Sequence, residues 1–101
     1  EAFRFVLFLL KFMKLKYILT KNNSFAIFSE TATHSDVARG LDGIPVGAGF
    51  CTIGIDTPYL NALRGNTSIN IHCYGKSISL KIESRPEDEK IITKKINFYG
   101  E

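Results

Sequence analysis

With 101 residues the chain is one domain's worth, long enough to bury a modest core without staples. Its 45% hydrophobic and 23% charged content excludes an intrinsically disordered chain, and a formal charge of +3 is too small to imply a polyanion partner by itself. Two cysteines, Cys51 and Cys73, without C-x-x-C spacing do not read as a disulfide framework and make a reducing, cytoplasmic compartment the expectation.

The stretch "EAFRFVLFLLKF" holds four of the eight phenylalanines, and its longest charge-free run, Phe5 to Leu10, is six residues. A membrane-spanning helix needs about 20, and no small-residue cleavage site follows to suggest a secretory signal. Met13 then opens "MKLKYILTKNNSF", which reads as a natural start. The expectation is an extension over residues 1–12, outside the core fold, followed by a single domain over 13–101. Without the extension the chain counts eleven Lys+Arg against nine Asp+Glu, a balance of +2.

"LKYILT" (Leu15–Thr20) and "FAIFS" (Phe25–Ser29) read as two strands joined by the turn cluster "KNNS". In "THSDVARG", Thr33 with Asp36 resembles a capping box, so a short helix should run from His34 to about Arg39 and stop at Gly40 in the left-handed conformation. Val37 and Leu41, four apart, would both face the core. "VGAGFCTIG" predicts a third strand, its glycines thinning the packing or allowing a bulge. "DTPYLNALRG" offers Thr57 as a cap, Pro58 at a first helical position and Gly65 as a stop, for a short helix or a loop.

"SINIHCYG" alternates Ile69, Ile71 and Cys73 on one face with Asn70, His72 and Tyr74 on the other. "KSISLKIE" continues with Ile78, Leu80 and Ile82 inward, and Gly75–Lys76 would turn one strand into the next. The last helix has Ser84 and Glu87 as a capping box and Pro86 in its first turn. Glu87, Asp88 and Glu89 load its start, whereas Lys90, Lys94 and Lys95 load its middle and end, a polarity that suits the helix dipole. Ile91, Ile92 and Ile96 form its apolar stripe. The sum is an α+β domain: an about five-stranded, mainly antiparallel sheet, a C-terminal helix over about residues 85–96 packed on it, and one or two short helices.

Motifs for chemistry are sparse. His34, Ser35 and Asp36 are consecutive and cannot aim at one another as a triad does. His34 and His72 lack the paired H-x-[ST] pattern of phosphoesterases, because Asp36 and Tyr74 stand two positions on. Zinc is not expected: His72 and Cys73 point to opposite faces of one strand, and no ligand spacing recurs. Cys51 and Cys73 read as small core residues. "GIPVGAGFCTIG" fails both glycine-rich phosphate patterns, Thr52 standing where a third glycine belongs. No cofactor is expected.

The ordering of "THSDVA", "PVGAGFC" and "CYGKSISLKIESRPEDEKII", from Thr33 to Ile92, resembles a group of small uncharacterised proteins of bacteria and their phages. The group carries H-x-D-V-A, P-V-x-A-G-F, G-x-S-x-S-L and S-R-P-E-D patterns. The resemblance implies a cytoplasmic protein of a mobile element and carries over no catalytic residues.

With a foldable domain and no convergent catalytic set, the expected function is a non-catalytic binding domain whose ligand is another protein. The expected surface is the polar face of the last hairpin and the His34–Asp42 loop, with His34, Asp36, Arg39, Tyr74 and Arg85 as binding residues. The alternative is an anionic small molecule or nucleic acid, with the glycine-rich strand lying close to the ligand and Arg39 or Arg85 pairing its charge. His72, Tyr74 and Lys81 would then offer one aromatic among basic neighbours. An enzyme ranks third and would need His34, Asp36 and Arg85 to converge. A homo-oligomer through a sheet edge, with Cys51 or Phe50 in the contact, stays open.

Overall fold

The computed structural model describes residues 14–55 and 69–99; the extension expected over residues 1–12 and the segment "DTPYLNALRG" lie outside them. Strand β1 (Leu15–Thr20) and strand β2 (Phe25–Ser29) form the expected first hairpin. Its turn closes through the Thr20 N–H, which donates to the Ser24 carbonyl at 2.8 Å. Asn23 takes the left-handed conformation (φ 64°), which asparagine tolerates better than most residues.

Helix α1 (His34–Ala38) follows, and the Thr33 hydroxyl caps it by accepting the Asp36 N–H at 3.2 Å. Gly40 follows this helix without the expected left-handed conformation, which falls instead on Gly43. Strand β3 (Pro45–Ile55) pairs with the other side of β1, and strand β4 (Ile69–Tyr74) pairs with β3. The result is one antiparallel sheet in the order β2-β1-β3-β4.

Strands β5 (Lys76–Ser77) and β6 (Ile82–Glu83) make a separate two-residue hairpin where a fifth full-length strand was expected. Ser77 explains the difference. Its hydroxyl is buried and accepts the Leu80 N–H at 3.1 Å, so a side chain takes a donor that a longer strand would give to a neighbour. Lys81 adopts φ 58° and completes the reversal, leaving Ile78 83% exposed rather than inward.

Helix α2 (Pro86–Tyr99) lies on the sheet. Its capping is shifted by one residue from the Ser84–Glu87 box read in the sequence: the Asp88 carboxylate, three residues after Arg85, accepts the Arg85 N–H at 2.9 Å. The Ser84 N–H donates instead to the Gly75 carbonyl at 2.9 Å. Gly75 itself has φ 77°, and this turn sends the chain off the end of β4.

Alternation sets the two faces of the sheet. On the face under α2, Leu15, Tyr17, Leu19, Cys51, Ile71 and Cys73 pack with Ile92; Ile91 and Ile96 flank them. Cys51 and Cys73 are direct cross-strand partners, both buried. Burial pushes their thiols up to about 11 and about 12, with the neighbouring Cys51, Asp88 and Glu89 adding to the second. At neutral pH both are protonated core residues, and the burial of Cys51 removes it from any intermolecular contact.

Candidate interaction surface

Among the described residues, the second face of the sheet is only partly covered. Register places Phe28, Lys16, Phe50 and Tyr74 side by side across β2, β1, β3 and β4. Phe50 and Tyr74 have ring centroids 6.0 Å apart with planes 29° apart; Tyr74 and His72, two residues apart on β4, are also 6.0 Å apart, at 23°. Three rings therefore stand near-parallel in a run, with the Lys14 ammonium 4.3 Å from the Phe50 centroid. The run opens outward: Phe50 and Tyr74 are half-buried, whereas the His72 side chain is 68% exposed. At its outer end His72 Nδ1 lies 3.5 Å from the Glu89 carboxylate of α2.

His34 closes the other end of the run from below. Expected on the surface, it is only 4% exposed, edge-on to Phe28 at 5.5 Å and to Phe50 at 6.1 Å. Its Nε2 lies 2.8 Å from the Gly49 carbonyl. A carbonyl can only accept, so Nε2 carries the hydrogen and Nδ1 is the nitrogen left to titrate. Its placement follows from the helix start: Thr33 caps α1, so the first helical side chain turns onto the sheet.

Burial holds the His34 pKa below its ordinary 6.5; the Gly49 carbonyl opposes that shift and the Lys16 charge assists it. The unfolded chain therefore takes up a proton at a higher pH than the folded one. This contribution to stability is full above the unfolded pKa and is lost as pH falls toward the lowered native value. Thermal melts between about pH 7.5 and 5.5 should show Tm falling for the wild type. His34→Gln, which can still donate to Gly49 but does not titrate, should flatten the profile. Equal Tm losses in the two proteins would rule out His34 as the source.

The remaining expected residues do not gather. Asp36 and Arg39 are exposed and pair with each other at 3.1 Å on α1, a contact worth little in water. Arg85 sits under the opposite face, its Nε donating to Asp88 at 2.8 Å while Nη1 lies 3.7 Å from Glu87. His34 and Arg85 thus lie on opposite sides of the sheet, and no His34–Asp36–Arg85 constellation forms. Each arginine proposed to meet an anion already faces a carboxylate of its own.

The glycine-rich strand does permit a close approach, but to a residue of this chain. A Cβ at Gly47 would overlap the Asp88 carboxylate, which is fully buried. That carboxylate also accepts the Tyr17 hydroxyl at 2.6 Å, and burial together with this bond raises the Tyr17 pKa. Tyr17 and Asp88 belong to the core, and Arg85, a third exposed, caps them from its rim.

Lys14 was not singled out by sequence, and Phe50 was named only for a sheet-edge contact between copies, because cross-strand register decides their neighbours and a single chain does not display it. Among the described residues, no three His, Cys, Asp or Glu side chains converge as a metal site would need. No helix among them is long and apolar enough to cross a membrane. The chain matches no protein-family model, no curated protein and no solved structure.

Proposed function

We propose that the chain is a small non-catalytic binding domain whose ligand is another protein, met on the open part of the sheet's second face. The observation that carries this reading is the run Phe50–Tyr74–His72, three near-parallel rings that end in solvent. Half-buried aromatic rings held in place by a rigid sheet lose little freedom on binding, and such side chains dominate protein–protein contacts. Glu89 beside His72 weighs against a polyanion, since it sets a carboxylate at the most exposed end of the run.

A second reading, a single-stranded nucleic acid stacked on the same rings, is favoured by Lys14 over Phe50. One variant tests the surface and one condition separates the readings. Tyr74→Ala/His72→Ala should retain the wild-type fold and lose partners that the wild type holds in a quantitative lysate pull-down. A protein contact of this apolar character should persist in about 0.5 M salt, whereas a nucleic acid would be released steeply. Identical partner sets for variant and wild type would refute the surface.

A further inference from the structure

The two edges of the four-stranded sheet differ. On β4, side chains of α2 stand in for a missing neighbour strand. Asn97 Oδ1 accepts the Ile69 N–H at 2.9 Å, and Asn97 Nδ2 donates to the Ile69 carbonyl at 2.9 Å. One helical turn earlier, Thr93 Oγ1 accepts the Ile71 N–H at 2.9 Å and lies 3.5 Å from the Ile71 carbonyl. Two of the three outward-facing residues of β4, Ile69 and Ile71, are thus met on donor and acceptor alike, which leaves little of this edge for another chain.

Strand β2 has no such cover among the described residues. The bond from Thr20 N–H to Ser24 O marks that pair as hydrogen-bonded. Alternation along the ladder then turns Ala26 and Phe28 toward β1, and Phe25, Ile27 and Ser29 outward. Of these outward groups, the Ser29 carbonyl alone has a backbone partner among the described residues, the Ala32 N–H at 3.1 Å. The strand also lacks the usual protections: Phe25–Ser29 has no charge and no proline, and its register with β1 runs without a shift.

We infer that β2 pairs antiparallel with β2 of a second copy, about a two-fold axis at Ile27. Ile27 then faces its own counterpart, and Phe25 faces Ser29, so every outward donor and acceptor of the strand finds a partner. The same register sets Glu30 of one copy across from Ser24 of the other. Next to Ser24 is Asn23, whose carbonyl holds the Lys95 ammonium of the same copy. An acid therefore meets a base on each side of the axis, and this complementarity selects a second copy over an unrelated strand. Because Thr93 and Asn97 occupy most of the β4 edge, assembly should end at two copies and not run on into a fibre. The inference is independent of the aromatic surface, which lies on the face of the sheet and not at this edge.

The test is sedimentation velocity on the full chain from low micromolar to about 100 μM. The wild type should show a concentration-dependent dimer. Ser29→Pro removes an outward N–H where an edge strand tolerates proline, and should be monomeric with a near wild-type melt. Glu30→Lys and Lys95→Glu should each weaken the dimer several-fold, and the doubly reversed chain should recover it. A wild type that stays monomeric throughout would overturn the inference. So would a dimer unchanged in a folded Ser29→Pro chain or unchanged by the two charge reversals; the reversals decide if Ser29→Pro does not fold.

Discussion

An Asp88→Ala variant is expected to lose about 3 kcal/mol of stability, a fall in Tm of about 12–24 °C for a domain of this size. Asp88 is fully buried and accepts three hydrogen bonds: from the Tyr17 hydroxyl at 2.6 Å, the Arg85 N–H at 2.9 Å and Arg85 Nε at 2.8 Å. Truncation leaves the buried Tyr17 hydroxyl without an acceptor and removes the capping bond at the start of α2. Arg85 contributes less to the loss, because a third of its side chain is exposed and water takes over part of its solvation. Asp88→Asn, which keeps an acceptor oxygen, should cost clearly less. Paired thermal and urea melts check this, and a loss below about 1 kcal/mol for the alanine variant would deny the cluster its structural role.

Gly47→Ala is the second large effect, at about 2–3 kcal/mol. The backbone there is not in the left-handed region, so the conformation suits alanine and the whole penalty is steric: the new methyl overlaps the Asp88 carboxylate. That origin gives a sharper result than either single variant. In an Asp88→Ala background the obstruction is gone, so Gly47→Ala should cost almost nothing, and the two losses should be strongly non-additive. Denaturant melts of the four proteins measure the coupling; simple addition of the two losses would place the strain elsewhere.

The same residues show how far the sequence could be read. Period-two alternation located β4, which buries Ile71 and Cys73 and exposes Asn70 and His72; β1 and β2 matched "LKYILT" and "FAIFS" to the residue, although Ile18 and Thr20 bury β1 on its second face as well. It failed over Lys76–Glu83, where alternation is as regular but Ser77 satisfies a backbone donor with its own side chain. The glycines of β3 were expected to lie close to a ligand; what comes close at Gly47 is a carboxylate of this chain some forty positions away, and no local pattern carries that. Asp88 itself was legible only as one of three acids at a helix start. Among the expected site residues, Tyr74 lies in the aromatic run, and His34 supports it from the interior. Phe50 joins them through strand pairing, which became visible only with the register known.

The bond between Tyr17 and Asp88 also fixes an order of events. It joins residues 71 positions apart, one in the first strand described and the other in the last helix. On a ribosome, β1, β2 and β3 emerge well before α2, and among the described residues it is α2 that covers the apolar side they present. Phe25, Ile27 and the residues around Tyr17 therefore gain the cover of α2 only once that helix has been made. A nascent chain paused before Pro86 should be a good client for a holdase chaperone, and release past Tyr99 should end that dependence.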